Sequence, residues 1–443
     1  MKTLFPKLIR LAVFLLLAAL LIPLGNTFLV QLDTFATVTM RELRSRDDIE
    51  LALVGSSIVQ HHFNAPLISE QTGLTAFDVT ITNAYLPDDL ALTRQLYETN
   101  SPEWVVLVLE SYSFNWIRTD PQSQFKLMPH LTNPLNRLQY LLDIMETDGD
   151  TLGRLLLFNS FGFTSFEDVQ KAFRLRTDPE GFLAQLIAES GGQYAYEDGF
   201  IRRETDERAM DGLVKTIIRE ESDYEYRVYD YTKEKLLEYK ALVESHGSRL
   251  LVVLAPGMTA HVLAEPWYLA YLDDAQAFFE EIGVPYVNLM LARPELLPNL
   301  DEYYFDLYHM VGEGADLLST TFSQVFNALR AGEDISDLFY RDSAEYLASI
   351  DFITNVWMEQ EQSGDSVTLR ADCNHGSQVT PEYRFTLRAA DGSETVLRDY
   401  DAEPTFTCDV SLLSGGTPRV YARVQGETDA VFFDPGDEEC PLP

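Results

Sequence analysis

Five short apolar runs, separated by stretches with helical spacing, constrain the fold of this chain more than any other feature. Residues 50–54, 75–81, 104–109, 249–254 and 284–288 are rich in Val, Ile, Leu and aromatic side chains and are flanked by polar residues, as buried strands are. Between them, 65–71, 88–99, 233–245 and 268–282 carry helical spacing, and 312–329 closes the series. Strand–helix alternation implies a parallel sheet with helices on both faces, joined by right-handed crossovers. Such a doubly wound α/β sheet presents its ligand site at the carboxyl ends of its strands. A polar juncture at 41–48 precedes the first strand, so the α/β domain is expected over 48–335.

Residues 114–235 interrupt the alternation. Helical patterning at 135–146, 166–173 and 179–189 predicts a helical insertion over that edge, serving either as a lid that shapes a substrate site or as extra packing. Tyr224, Tyr226, Tyr229 and Tyr231 within it are the type of residue that can stack on sugar faces, though such residues more often simply pack. From 351 to 443 the pattern changes to short alternating runs at 367–371, 383–389, 395–398, 405–410 and 419–424. Asp391-Gly392-Ser393 and Ser414-Gly415-Gly416 mark turns between them. A β-sandwich is the expectation. The run Tyr421 to Val424 resembles the end of small immunoglobulin-like modules of bacterial surface proteins.

Lys2, Lys7 and Arg10 precede an apolar run over 11–30. About 20 such residues cross a bilayer as a helix. Pro23, Gly25 and Asn26 interrupt its far end, which leaves a cleaved signal peptide as the alternative to an anchor over 1–35. In either case the basic flank stays in the cytoplasm and the chain beyond about residue 35 is extracytoplasmic. The three cysteines, Cys373, Cys408 and Cys440, all follow the α/β domain, so thiol catalysis there is excluded. Their spacing fits no zinc site, and a Cys373–Cys408 disulfide is expected in an oxidising compartment, with free buried thiols the alternative. A formal net charge of −37 argues against nucleic acid as a partner and disfavours docking on anionic lipid through charge.

Two motifs then fall on one edge of the predicted sheet. Gly55-Ser56-Ser57 follows the first strand, and Asp306-Leu307-Tyr308-His309 follows the last. A serine hydroxyl needs an imidazole to accept its proton, and the imidazole needs a carboxylate to fix its tautomer. Ser57 is read as nucleophile with Ser56 as the alternative, His309 as base and Asp306 as the orienting acid. Tyr304, Phe305 and Tyr308 around them would limit water. His61 and His62 form a potential metal pair, but no carboxylate or cysteine follows at ligand spacing, and no metal or other cofactor is expected. Glu110 reads as a solvated strand-end carboxylate, with a role as second acid the alternative.

This combination resembles the SGNH (GDSL-like) hydrolase superfamily over about residues 48–330, and most closely its membrane-anchored DltD-like branch of D-alanyl transfer and polysaccharide O-acetylation. The resemblance implies a flavodoxin-like sheet and a serine esterase or O-acyltransferase. The acyl group would be acetyl or D-alanyl, the acceptor a cell-surface polysaccharide or teichoic acid, and the working partner a membrane-bound O-acyltransferase. The family's oxyanion motifs are replaced here by Thr80-Ile81-Thr82-Asn83-Ala84 and Glu110-Ser111-Tyr112-Ser113, leaving Asn83 and Ser111 as candidate donors. That departure sustains a rival expectation, a non-catalytic surface protein that binds glycan or protein through an inactive domain.

Overall fold

The computed structural model describes residues 4–114, 122–145, 155–219, 227–264 and 267–433. The five apolar runs become β1 (Leu51–Gly55), β2 (Ala76–Thr80), β3 (Trp104–Leu109), β6 (Arg249–Leu254) and β7 (Tyr286–Asn288), while β4 (Tyr194–Glu197) and β5 (Phe200–Arg203) form a separate hairpin. The main sheet is parallel throughout, in the order β2-β1-β3-β6-β7. Counted in chain order this is 2-1-3-4-5, one of the two common doubly wound orders. Alternate side chains feed two cores: Ala52, Val54, Val105 and Leu107 enter one, and Leu51, Leu53, Val106 and Val108 the other. Both faces are apolar because helices cover both, which is why these strands read as continuous hydrophobic runs.

The first core is closed by helices that include α5 (Leu86–Leu96) and Asp230–Ser245. The second is closed by α3 (Ser57–His62), α4 (Ala65–Thr72) and Gly312–Ala331. The expected juncture at 41–48 is instead mostly helix. α2 (Thr34–Ser45) is capped by the Asp33 side chain on Ala36 N–H, and it buries Ala36, Met40 and Leu43 in the first core. That spacing is one helical stripe; the charges of Arg41, Glu42 and Arg44 on the other face obscure it.

α1 (Leu4–Phe28) runs through Pro23, and its segment Pro6–Phe28 is long and apolar enough to cross a membrane. Its far end is built into the protein. Gly25 faces the ring of Phe158, with no room for a Cβ. The Asn26 side chain donates to Leu155 O at 2.9 Å and accepts from Phe158 N–H at 3.3 Å. Between β3 and Asp230–Ser245 the chain forms helices that include Pro134–Met145, Phe166–Thr177 and Pro179–Glu189, then the β4–β5 hairpin. Tyr229 and Tyr231 lie half-buried where Asp230–Ser245 begins, and Tyr224 and Tyr226 fall outside the described residues.

Beyond residue 351 come β8 (Ile353–Ser363), β9 (Ser366–His375), β10 (Pro381–Ala389), β11 (Glu394–Asp401), β12 (Thr405–Asp409), β13 (Gly416–Val424) and β14 (Ala430–Phe433). They form two antiparallel sheets, β11-β10-β13-β14 and β12-β9-β8, around a shared core that includes Val356, Leu369, Phe385 and Val420. The expected Cys373–Cys408 bridge is not formed; both thiols are free. Cys408 faces Val367 across the β12–β9 ladder, whereas Cys373 sits near the other end of β9, roughly 20 Å away at about 3.3 Å per residue. The Cys373 thiol instead lies buried 3.3 Å from the Tyr383 hydroxyl. Cys440 is outside the described residues.

Candidate active site

β1 ends on a glycine for a steric reason. A Cβ at Gly55 would lie 2.8 Å from the Val108 carbonyl oxygen of β3 and 2.7 Å from Val59 Cγ2. The chain then turns into α3. Ser56 is the N-cap: its hydroxyl accepts from Ile58 N–H at 3.2 Å and donates to Glu110 Oε1 at 3.0 Å. Its oxygen is therefore occupied at the helix end. Ser57 opens α3, and its Oγ lies 2.9 Å from Nε2 of His309, a residue 252 positions away in sequence.

A compact loop presents the imidazole. Tyr304 and Met310 pair across it, and Phe305 N–H donates to His309 O at 3.0 Å. Asp306 Oδ1 accepts the N–H groups of Tyr308 and His309, each at 2.8 Å. The same carboxylate lies 3.1 and 3.0 Å from His309 Nδ1. A proton on Nδ1 satisfies Asp306 and leaves Nε2 free to accept from Ser57, the tautomer a general base requires. Burial pushes the Asp306 carboxyl up. The hydrogen bond and charge of His309, with the two backbone N–H donors, outweigh it and hold the group below the usual carboxylate range.

The ring of His309 is flanked on two sides. Phe305 stacks on it at 5.9 Å between centroids, and His61 meets it edge-on at 5.2 Å. The guanidinium of Arg203, on β5, lies 4.0 Å over Phe305. His61 Nδ1 lies 3.0 Å from the Ile201 carbonyl, and burial, aided by the charge of His309, drives its pKa down to about 3. Fully buried His62 is pushed well below its ordinary value by the same causes, and its Nε2 accepts from Met310 N–H at 3.3 Å. Both histidines are held neutral, bracing the hairpin and the loop. Among the described residues no group of three or more His, Cys, Asp or Glu side chains could hold a metal ion.

A small cleft of about 30 Å³ lies next to Ser57, His309 and Asp306, between Ile58, Glu110, Ala255, His261, Leu307 and Tyr308. Two of its lining residues are tied together by the Tyr304 hydroxyl, which donates to Pro256 O at 2.8 Å, and the following turn is held by Asp301, which accepts from Thr259 N–H at 2.7 Å and Ala260 N–H at 3.2 Å. A larger cleft is bounded by Tyr286, Arg293 and Tyr340; Ser57, Asp306 and His309 line neither cleft, and only their chain neighbours Ile58, Leu307 and Tyr308 line the smaller one.

Glu110 is not a solvated strand end; it is half-buried and holds the N-cap hydroxyl of Ser56. Asn83 lies on the turn after β2, at the same carboxyl edge, exposed and with φ +61°. Ser111 begins a turn directly after β3, and its side chain lies outside what the structure describes. The N–H of Ser57, at the first position of α3, has no intrahelical acceptor. Sequence reasoning missed Ile201 and Arg203. The available signal was Asp198-Gly199 between two alternating runs, a hairpin signature. No family model matches the chain, and a search of curated proteins finds no match.

Proposed function

We propose that this protein is a serine esterase or O-acyltransferase of the SGNH type, anchored by α1 with its remaining domains extracytoplasmic, and acting on acetyl or D-alanyl esters of cell-surface polysaccharide or teichoic acid. The observation that carries the reading is the continuous chain from Ser57 Oγ through His309 Nε2 and Nδ1 to Asp306, at 2.9 and 3.0 Å. The 2-1-3-4-5 strand order and the position of all three groups at the carboxyl edge support it. An immunoglobulin-like assignment for the C-terminal unit is compatible with its two antiparallel sheets. The packing of Gly25 and Asn26 into the protein favours a retained anchor over a cleaved leader.

In this mechanism Ser57 Oγ attacks the ester carbonyl carbon while its proton passes to His309 Nε2. Asp306 holds the Nδ1 proton and stabilises the imidazolium. The Ser57 N–H faces the developing oxyanion, with Asn83 or Ser111 as candidate second donors. Collapse breaks the ester C–O bond, the leaving oxygen takes the proton from Nε2, and the acyl group stays on Ser57. Water or a sugar hydroxyl then attacks the acyl carbon, gives its proton to Nε2, and Ser57 recovers it. The identity of that second nucleophile separates esterase from transferase, and a membrane-bound O-acyltransferase is the partner that would supply acyl groups for transfer.

The purified chain is expected to label with a fluorophosphonate probe, and Ser57→Ala to lose that label. Equal labelling of both proteins would sink the assignment. The replaced oxyanion motifs favour the rival reading, a surface protein that binds glycan or protein through an inactive domain, and an unlabelled wild type would support it.

A further inference from the structure

Two helices of the insertion turn an apolar stripe outward. On Pro134–Met145 the stripe is Leu135, Leu138 and Leu142; on Phe166–Thr177 it is Phe166, Val169 and Phe173. These six side chains are between 40% and 74% exposed. In each helix the spacing is i, i+3, i+7, which lines the three residues along one side. The opposite sides are already used: Tyr140 and Ile144 are buried in the first core, and Ala172 and Leu175 pack against Leu32. Each helix thus presents apolar surface in two directions, and among the described residues only one of them meets protein.

The position of the helices identifies what covers the other. The turn Met128–His130, which leads into Pro134–Met145, packs on α1. Phe166–Thr177 is tied to the end of α1 more directly. Arg176 donates to Thr27 O at 2.8 Å, and its guanidinium lies 5.9 Å from the ring of Phe28. Leu32, just past the end of α1, is buried against this helix. α1 itself is 6% buried over its most apolar window, so its outer surface is also open. If α1 crosses a membrane, a helix pinned this close to its end is held near the bilayer surface.

We propose that the two stripes seat in the interfacial layer of the membrane that α1 crosses, making the insertion a platform that fixes the height and tilt of the α/β domain. The occupant is lipid. Phe and Leu on one face of a surface helix are the residues that enter the headgroup–acyl boundary. At a net charge of −37, apolar insertion rather than long-range attraction supplies the driving force, so zwitterionic lipid suffices. The proposal rests on α1 spanning the membrane and is independent of the chemistry at Ser57.

The test is the full-length chain reconstituted into phosphatidylcholine vesicles with brominated acyl chains. L138W and F173W are read against the four native tryptophans, with L412W on the exposed turn between β12 and β13 as control. The added fluorescence of L138W and F173W is expected to be quenched at least twofold more than that of L412W. Quenching no greater than the control overturns the proposal. Protection of both positions only in native membranes, with no quenching in vesicles, assigns the face to a protein partner and also overturns it. Failure of the chain to enter vesicles removes the anchor and the platform together, whereas loss of probe labelling at Ser57 leaves both standing.

Discussion

At Gly55 two opposing effects of adding one methyl group can be ranked. Gly→Ala at a compatible site stabilises by about 0.4–1 kcal/mol through the unfolded chain. Here the new Cβ would meet a backbone oxygen of β3 at 2.8 Å, and overpacking of that kind costs about 1–3 kcal/mol. The steric cost wins, so Gly55→Ala is expected to lower the melting temperature and, by shifting Ser57 away from His309, to depress ester hydrolysis as well. Asp306 offers a cleaner separation of chemistry from folding. In Asp306→Asn the side-chain oxygen can still accept from Tyr308 and His309 N–H, but the amide nitrogen is set against Nδ1 and disfavours the productive tautomer. In the hydroxyl–imidazole–carboxylate template this substitution costs about 10⁴ in kcat with geometry intact. The same order of loss in p-nitrophenyl acetate hydrolysis, with an unchanged melting temperature, is the expected outcome; a loss under tenfold would show that Asp306 does not orient the base.

The β4–β5 hairpin is the element on which the site depends and which the sequence reading did not foresee. Its turn residues Asp198 and Gly199 both have positive φ, +50° and +86°, the pairing a two-residue hairpin turn demands. Asp198 O accepts from Asp78 N–H at 3.0 Å, so the tip covers the open edge of β2. In Gly199→Ala the Cβ would sit 2.2 Å from Asp78 O in a backbone conformation that disfavours it. The hairpin is expected to lift, with faster proteolysis at 194–203 and a fall in kcat as His61 and Arg203 lose their footing; unchanged cleavage would show that the tip is not seated on β2. The physical reason it escaped notice is its burial. β4 alternates half-buried and exposed residues, a weak signal beside strongly helical neighbours, whereas β1 and β3 are buried on both faces and announce themselves. β8 was missed as well, because the solvent-facing half from Glu359 to Ser363 dilutes its apolar residues. The meeting of Ser57, His309 and Asp306 was legible because the carboxyl-edge rule converts chain order into proximity. The choice between Ser56 and Ser57 was not, since it depends on which hydroxyl caps α3, and the cysteine pairing was not, since strand register is not written in residue spacing.

For the molecule as a whole, the pH dependence of stability comes from buried groups of opposite sign rather than from net charge alone. His61 and His130 are driven to a pKa of about 3, and His62 well below its ordinary value, in each case chiefly by burial. Such a group contributes stability that is present above the unfolded value of about 6.5 and lost as pH falls toward the folded one. Asp301, pushed up to about 6 by burial, and Asp78 and Asp89, raised well above the usual range by burial, act in reverse: their contribution is complete below about 3.8 and lost as pH rises. The two sets act in opposite directions, so a single-site difference is the informative measurement. His130 suits it, because it is buried far from Ser57 against α2, with its ring nitrogen 3.4 Å from Thr37 Oγ1, and the guanidinium of Arg44 helps to keep it neutral. Relative to His130→Gln, the detergent-solubilised wild type is expected to hold a constant stability difference above pH 6.5. Below it, the wild type should lose about 1.4 kcal/mol for each pH unit down to about 3. Parallel curves from pH 7.5 to 4.5 would mean that His130 titrates normally in the folded protein and that the core under α2 admits the charge.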